Sequence, residues 1–333
     1  MLQTDVLIIG AGPVGLFASF EAGLLGMKTV IVDGLKIIGG QCKALYPEKP
    51  IYDIPGFSEI SGASLIDKLE SQSSRFRPIY ILGEQLISFS KDGEHFVSVT
   101  DKQTHIKSKI ILIAGGGGSF SPNKPPLKNL GEYENKSVFF SIDNVSKFYG
   151  KKIVIAGGGD SAIDWALALA DKASKLYLIH RREKFKAAPA SAGELARLSA
   201  KGLIEIIAPY QLKDLDGQNG ILTHVIICDL SENIKKIEAD ILLLFFGLTN
   251  DLGPLKNWGL ELSSGSIKVD QASQMTNIEG IYAIGDICYY NGKLKLILTG
   301  FAEAACALHH AYSKVFDGKI LHFQHSTSKN FKS

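Results

Sequence analysis

The stretch from Asp5 to Asp33, DVLIIGAGPVGLFASFEAGLLGMKTVIVD, is the part of the sequence that decides the fold. It begins with a short apolar run suited to a buried parallel strand. A glycine-rich turn, an apolar helix and a second apolar strand follow in that order. This is the order of a βαβ unit, and it predicts an α/β fold with a parallel sheet.

The turn of this unit carries glycines at the positions where a dinucleotide needs them. Gly10 permits the tight turn, Gly12 leaves room for a pyrophosphate, and Gly15 lets the helix pack closely against the strand. Pro13 lies in the same turn, next to the helix N–H groups that phosphates would bind. Asp33 ends the second strand and can accept hydrogen bonds from ribose hydroxyls. An ordinary loop with chance glycines would not have both strands and the acid in register, so the pattern indicates a dinucleotide site.

The same pattern returns in the second half of the chain. The predicted elements are a strand at 152–156, a turn at 157–162, a helix at 164–170 and a strand at 176–179. Within the turn, the residues expected to face the phosphates are Gly157, Gly159, Asp160 and Ser161. The chain is therefore expected to contain two Rossmann-like units.

The residue that corresponds to Asp33 in the second unit is His180, and Arg181 and Arg182 follow it. An acid suits two free ribose hydroxyls, whereas guanidinium groups donate paired hydrogen bonds to phosphate oxygens. The second site is therefore predicted to prefer NADP to NAD. A solvated basic turn is the alternative, and the register after a second glycine-rich turn argues against it.

Two dinucleotide sites in one chain suit hydride transfer between a nicotinamide and a flavin. The first site is accordingly assigned to FAD and the second to NADP(H). A strand at 109–114 runs into Gly115–Gly118, and the prolines within 119–136 indicate irregular chain after it. Another strand is predicted at 239–246. We therefore expect a discontinuous FAD-binding domain, residues 1–117 and 246–333, with an NADP-binding domain inserted at 118–245.

The composition excludes several other classes of protein. The chain has 333 residues with 36 Lys or Arg and 34 Asp or Glu, so its formal net charge of +2 gives no reason to expect nucleic acid or a membrane surface as a partner. The longest apolar run, residues 241–246, is too short to span a bilayer. The N-terminal segment lacks the basic residues of a signal peptide, so a cytoplasmic location is expected. The cysteines and histidines have no spacing typical of a metal site.

Several stretches resemble the flavoprotein pyridine-nucleotide reductases with a thioredoxin-reductase architecture. They are the two glycine-rich units, GGGDSAIDWA at 157–166, HRREKF at 180–185, GGQ at 39–41 and GIYAIGD at 280–286. More narrowly, residues 44–57 (ALYPEKPIYDIPGF), 247–260 and 325–328 (HSTS) look like ferredoxin/flavodoxin–NADP reductases of the thioredoxin-reductase-like type. The resemblance implies two three-layer (ββα/βα) domains, FAD and NADP(H) as cofactors, and a homodimer.

The resemblance also implies roles for single residues at the FAD site. Asp33 would bind the adenosine ribose, and Asp286 would accept a hydrogen bond from the ribityl chain or else cap a helix. The residues placed near the adenine or the flavin are Leu86 or Ile87 (adenine), Gln41, Tyr46 and Phe120 (flavin), and Thr327 in the tail. Two are candidates to stack on the flavin: Tyr46, which could instead fill core, and His325, which could instead lie in solvated tail. The helix predicted at 299–316 would point its N-terminus at the flavin pyrimidine edge.

The cysteines bear on the electron acceptor. A thioredoxin reductase resembling this chain would carry a CxxC before the second glycine-rich turn, where residues 141–150 read SIDNVSKFYG. A glutathione-reductase-type enzyme would carry a CxxxxC after the Gly-Gly pair, where Cys42 is followed by Pro47 in its partner's position. Electrons are therefore expected to leave the flavin directly, to an external carrier. The resemblance implies that the carrier is ferredoxin or flavodoxin, with hydride transfer to flavin N5 followed by single-electron steps, in either direction. Cys42 is either a packing residue or a single redox cysteine.

Two other functions stay open on the sequence. One is an NADPH-dependent flavin reductase or oxidase acting on oxygen, a quinone or an external disulfide protein. The other is a flavin- or NADP-sensing protein without enzymatic activity. Because hydride and electron transfer need no side chain as acid or base, no catalytic residue is assigned beyond the two stacking candidates.

Overall fold

The structure is a computed structural model that describes residues 1–322, apart from the side chains of Phe120 and Asn250. The chain forms two compact units. The first consists of residues 1–119 and the chain from 250 onward, and the second consists of residues 120–249. The second unit is therefore an insertion within the first.

The elements are numbered in chain order. The helices are α1 (Pro13–Leu24), α2 (Gly40–Ala44), α3 (Gly62–Ser74), α4 (Leu130–Tyr133), α5 (Asp160–Leu169), α6 (Pro189–Ala200) and α7 (Ile297–Val315). The strands are β1 (Leu2–Ile9), β2 (Thr29–Asp33), β3 (Pro50–Ile51), β4 (Ile60–Ser61), β5 (Ile79–Leu82), β6 (Leu86–Asp92), β7 (His95–Thr100), β8 (His105–Ile113), β9 (Ser119–Pro122), β10 (Val138–Phe139), β11 (Lys152–Gly157), β12 (Lys175–Ile179), β13 (Glu205–Ile207), β14 (Gln211–Gln218), β15 (Ile221–Cys228), β16 (Ile234–Glu238), β17 (Ile241–Phe245), β18 (Leu248–Asp251), β19 (Leu262–Ser263), β20 (Ser266–Lys268), β21 (Ile281–Ala283) and β22 (Cys288–Tyr289).

The first unit is built on a seven-stranded sheet in the order β5-β2-β1-β8-β7-β6, with β21 beside the carboxyl-terminal half of β8. The strands β5, β2, β1, β8 and β21 run parallel, while β6, β7 and β8 form an antiparallel meander. Successive side chains alternate between faces. Val6 and Ile8 pack against the small residues of α1 and α7, whereas Leu7 packs on the other face with Trp258 and Leu260.

The second unit has a five-stranded parallel sheet in the order β10-β17-β11-β12-β13 and a separate antiparallel sheet of β14, β15 and β16. The side chains of β11 also alternate between the two faces of its sheet, and each face has its own hydrophobic core. Ile153 and Ile155 pack with α5 and α6, and Val154 packs with Val225 and Ile227 of β15. The predicted α/β fold with two three-layer, Rossmann-like units is confirmed.

Some local predictions were wrong. Residues 119–136 were expected to be irregular, but they contain β9 and one turn of helix, α4. Both dinucleotide-type helices begin three or four residues earlier than expected, because Gly12 and Gly159 have extended backbones and act as N-caps. Among residues 1–322, no helix has the length and apolar character needed to cross a bilayer.

Candidate cofactor sites

The first candidate site lies at the carboxyl edge of the parallel strands in the first unit. Strands β2, β1, β8 and β21 end next to one another, since Ile9 pairs with Val32 and Ile113, and Ile113 pairs with Ala283. Of the predicted site residues, Asp33 ends β2, Gly10 follows β1 directly and Asp286 comes shortly after β21. In open α/β sheets, ligands bind outside this edge of the strands.

The first glycine-rich turn is tight on one side and open on the other. Gly10 has a φ of +109°, and a Cβ placed on it would lie 2.4 Å from the carbonyl oxygen of Ala114. A Cβ on Gly15 would lie 1.9 Å from the carbonyl oxygen of Gly10. Within residues 1–322, by contrast, a Cβ on Gly12 would meet only the Cα of Gly40, at 4.0 Å. This leaves space at the start of α1, where Pro13 is the first helical residue and the backbone N–H groups are free to bind phosphate.

Asp33 is anchored to this turn by its carboxylate. Oδ2 accepts the N–H of Ala11 and Oδ1 accepts the N–H of Leu35, both at 2.7 Å. Burial raises the pKa of Asp33, and these two backbone hydrogen bonds oppose that rise. Each oxygen keeps a second lone pair, so the carboxylate can still accept hydrogen bonds from a ribose.

The segment after Asp33 returns to the phosphate turn. The N–H of Gly39 donates to the carbonyl of Ala11 at 2.9 Å, and α2 then carries Gln41, which is half-buried. Tyr46 comes just after α2, and its hydroxyl lies 3.6 Å from the thiol of buried Cys42 within that helix. Burial raises the pKa of both groups, so both stay protonated near neutral pH.

Asp286 lies close to this segment. Its carboxylate raises the pKa of Cys42 and of Tyr46 by charge repulsion. The Asp286 side chain is solvent-accessible, yet partial desolvation raises its own pKa, against the opposing charges of Lys293 and Lys295. The structure thus brings the predicted residues of the first turn, α2 and the Asp286 turn to one edge of the sheet.

A buried network behind Asp286 was missed by the sequence analysis. Glu303 of α7 is 3% exposed and accepts hydrogen bonds from the backbone of Gly285 and the hydroxyl of Tyr290, both at 2.7 Å. It also pairs with the buried ammonium of Lys293. Burial, followed by the charge of Glu303, raises the pKa of the Cys288 thiol to about 12. The sequence feature that could have indicated this network is a single acidic residue within the apolar run GFAEAACAL.

The remaining predicted residues of the first site are placed as follows. Leu86 is buried at the start of β6, and Ile87, exposed to 38%, accepts the indole N–H of Trp258 through its carbonyl at 3.2 Å. The residues just before Leu86 are hydrogen-bonded to the end of β2, since the N–H of Glu84 donates to the carbonyl of Asp33 at 3.1 Å. The side chain of Phe120 and the residues His325 and Thr327 lie outside the described part of the structure.

The second candidate site repeats the pattern of a closed and an open glycine. A Cβ on Gly157 would lie 2.5 Å from the carbonyl oxygen of Phe245. A Cβ on Gly159 would meet no atom of the described residues within 4 Å, and α5 begins at the next residue. Asp160 and Ser161, the first two residues of α5, are exposed. The N-terminus of α5 therefore has room for a phosphate group.

The basic segment after β12 folds back over this turn. The N–H of Lys186 donates to the carbonyl of Gly158 at 2.7 Å, and the N–H of Ala188 donates to Oδ1 of Asp160 at 3.3 Å. Arg181 and Arg182 are exposed within the segment that these bonds close. The backbone of the segment that carries both arginines is thereby held next to the second turn.

His180 lies against the turn itself. A Cβ on Gly158 would come within 2.4 Å of three atoms of the imidazole ring. The ring stacks on Phe185 with centroids 5.1 Å apart. Burial, together with the charges of Arg181 and Arg182, lowers the pKa of His180, so the ring is neutral at neutral pH. At the turn, His180 therefore presents an uncharged aromatic ring.

The residues of both sites fit dinucleotides, and the family comparison agrees with them. Residues 4–311 match the family model described as pyridine nucleotide-disulphide oxidoreductase. The chain belongs to this family. All four cysteines of the chain lie within residues 1–322. They are free thiols, and only Cys306 is exposed.

Individual relatives narrow the comparison. The chain is 59% identical, over 330 residues, to a protein of Rickettsia conorii named ferredoxin–NADP reductase, covering 99% of this chain and 97% of that protein. It is also 59% identical to a protein of the same name from Rickettsia felis, covering 98% of this chain and 97% of that protein. The thioredoxin reductase of T. acidophilum superposes with a TM-score of 0.80 at 24% identity, covering 95% of this chain and 100% of that chain. This last likeness confirms the thioredoxin-reductase-like fold.

Proposed function

We propose that this chain is a flavoprotein oxidoreductase, a ferredoxin–NADP reductase that passes electrons between NADPH and ferredoxin or flavodoxin. The observation that carries the proposal is the 59% identity, over 99% of the chain, to the Rickettsia conorii protein of that name. The two open phosphate-type turns support it, because this reaction needs FAD and NADP(H) on one polypeptide.

The first unit is assigned to FAD and the second to NADP(H). The proposed domains are residues 1–117 with 246–333, and residues 118–245. The division of the chain into compact units after residues 119 and 249 supports this assignment. Bound FAD would supply the centre that takes a hydride from NADPH and releases electrons one at a time.

The residues of the first unit would bind and orient the flavin nucleotide. The backbone N–H groups at the start of α1 would bind its pyrophosphate in the space beside Gly12. Asp33 would hold the adenosine ribose, and Asp286 the ribityl chain. Tyr46 would offer its ring face, since its buried hydroxyl is held by the Cys42 thiol and stays protonated.

The residues of the second unit would select the nicotinamide nucleotide. The start of α5, beside Gly159, would bind the pyrophosphate. Arg181 and Arg182 would bind a 2′-phosphate, because exposed guanidinium groups next to the turn donate paired hydrogen bonds to phosphate oxygens. This arrangement favours NADP(H) over NAD(H).

Spectra and electron-transfer kinetics of the purified protein test the proposal. We expect a yellow protein whose flavin absorbance bleaches with NADPH under argon, and cytochrome c reduction that depends on added ferredoxin or flavodoxin. Failure to bleach would favour a sensor. Rapid oxygen, quinone or disulfide reduction with no response to either carrier would favour the alternative flavin enzyme. Reduced ferredoxin with NADP⁺ tests the reverse direction.

A Cys42→Ser variant separates the carrier reaction from single-thiol chemistry. Because the thiol is buried and protonated, it is a poor nucleophile. We therefore expect the variant to keep its ferredoxin-dependent rate. A loss of peroxide- or disulfide-dependent turnover in this variant alone would indicate a redox role for Cys42.

The proposal extends to assembly and location. We infer a homodimer, on the strength of the family resemblance, and light scattering of the purified protein measures it directly. We also infer a cytoplasmic location, because free cysteines, one of them exposed, suit a reducing compartment.

A further inference from the structure

A carboxylate is buried in α7 among small apolar side chains. Glu303 is 3% exposed, and the buried residues that follow it on the helix include Ala304, Ala307 and Leu308. A buried charge is costly unless it is paired and hydrogen-bonded. The partners of Glu303 therefore indicate what the residue does.

The partners of Glu303 come from the one segment that joins β21 to α7. Its Oε2 accepts the N–H of Gly285 at 2.7 Å. Its Oε1 accepts the hydroxyl of Tyr290 at 2.7 Å and pairs with Lys293, whose side chain is also 3% exposed. One carboxylate thus contacts this segment on both sides of Asp286 along the chain.

Asp286 lies beside this network and responds to it. Partial desolvation raises the pKa of Asp286, the charges of Lys293, the ion-pair partner of Glu303, and of Lys295 oppose that rise, and the charge of Glu303 adds to it. Lys293 is therefore shared electrostatically by a buried carboxylate and a solvent-accessible one. A change at Glu303 alters both the backbone before Asp286 and the charge near it.

The same turn is packed between the first turns of two helices. A Cβ on Gly300 of α7 would lie 2.4 Å from a methyl group of Val14 in α1 and 3.3 Å from the Cα of Gly285. Gly285 itself has a φ of +75°, a conformation that favours glycine. The Asp286 turn therefore has a fixed position relative to the start of α1, where the phosphate turn ends.

We propose that Glu303 is a positioning residue for FAD, which acts through Gly285 and Lys293 to hold the Asp286 carboxylate where a flavin ribityl chain would meet it. The inference rests on the proposed function, since it needs FAD at this edge of the sheet. The competing explanation is that Glu303 only joins α7 to the preceding loop.

The first measurement compares Glu303→Gln with Glu279→Gln in the full chain. Glutamine keeps the shape and one acceptor but removes the charge that pairs with Lys293. Glu279 is an exposed acid of the same unit, paired with Lys314. FAD affinity is measured by titrating FAD-stripped protein and following flavin fluorescence, and thermal unfolding of the stripped protein is recorded in parallel. We expect the FAD dissociation constant to rise at least tenfold in Glu303→Gln and less than twofold in Glu279→Gln.

The second measurement adds Asp286→Asn to form a double-mutant cycle. If Glu303 acts through Asp286, its substitution costs at most two- to threefold in FAD affinity once Asp286 is already asparagine. A Glu303→Gln variant that has a lower melting temperature but binds FAD as tightly as the wild type overturns the proposal. The proposal is also overturned if the double variant weakens FAD binding by the product of the two single-variant factors. If Glu303→Gln does not fold, Glu303→Gln combined with Lys293→Met removes both charges and takes its place in the cycle. No carrier protein is used, so failure of the ferredoxin assay would contradict the proposed function without affecting this result.

Discussion

Gly10 approaches Ala114 so closely that a Cβ on Gly10 would lie 2.4 Å from the carbonyl oxygen of Ala114. The N–H of Ala114 donates in turn to the carbonyl of Ile9 at 2.8 Å, so the two strand ends are held together by their backbones. A Cβ on Gly12, two residues further on, would meet only the Cα of Gly40, at 4.0 Å, among the described residues. One turn therefore contains a glycine that the fold requires and a glycine whose open side is available to a ligand.

The first prediction uses this contrast. Gly10→Ala should lower the yield or the melting temperature of the protein, because a backbone clash and a φ of +109° cannot both be relieved. Gly12→Ala should leave the melting temperature of FAD-stripped protein nearly unchanged but weaken FAD binding about tenfold or more. Fluorescence titration and calorimetry measure the two effects. Gly12→Ala protein that binds FAD normally would contradict the assignment of this space to the pyrophosphate.

The second turn allows a parallel prediction for NADPH. A Cβ on Gly159 would meet nothing within 4 Å in the described part of the chain, so Gly159→Ala should fold normally and raise the KM for NADPH about tenfold or more with little change in bound flavin. Gly158→Ala is the matched control, because its Cβ would force the His180 ring to move. We expect that control to lower thermal stability. Steady-state kinetics with NADPH as the varied substrate decide the point, and an unchanged KM in Gly159→Ala would argue against phosphate binding at α5.

The third prediction concerns the choice between NADPH and NADH. Replacing Arg181 and Arg182 together by alanine should reduce kcat/KM for NADPH at least roughly 10- to 100-fold, since the loss of even one hydrogen bond to a charged group costs about 1.5–3 kcal/mol. The value for NADH should change little. Arg197→Ala removes a guanidinium that is already paired with Glu194, and it serves as the control. Equal losses with both nucleotides would mean that these arginines do not read the 2′-phosphate.

The sequence predicts the parts of the fold whose signals are local. The strands and glycine turns around Gly10 and Gly157 are found where expected, because buried parallel strands read as continuous apolar runs. The helices after them are also present, although both begin a few residues earlier than expected. The antiparallel strands β14–β16 were not foreseen, since Gln211–Gln218 is half-exposed and polar and only pairing with its neighbours makes it a strand. Register across the sheet depends on contacts between distant residues, which a local pattern does not contain.

The residues of the candidate sites also differ in whether a local sequence pattern predicts them. Asp33 and His180 could be located by counting from a glycine turn, because Asp33 is the last residue of β2 and His180 directly follows β12. Glu303 could not, because a lone acid on a helix is ordinarily read as part of a solvated face. Its burial depends on Tyr290 and Lys293, which reach it only through the loop that follows β21.

Tyr282 provides a prediction about pH that is independent of the cofactors. It is 1% exposed within β21, and its hydroxyl lies 3.1 Å from Nδ1 of His310. Burial, with a smaller contribution from the charge of Glu279, raises its pKa from 10.0 to about 12. The hydroxyl of the folded protein therefore stays protonated at pH values where that of the unfolded chain ionises.

The sign of the effect follows from proton counting. Below pH 10 the hydroxyl is protonated in both states, and between pH 10 and 12 only the unfolded chain releases its proton, so stability falls as pH rises. At pH 11 the free energy of unfolding should be lower by about 1.4 kcal/mol on this account, since one pKa unit corresponds to ~1.4 kcal/mol. Tyr282→Phe should remove that part of the loss, whereas Tyr289→Phe, at an exposed position, should not. Urea unfolding at pH 9 and pH 11 measures the difference, and identical pH dependence in Tyr282→Phe and the wild type would show that this hydroxyl is not the group responsible.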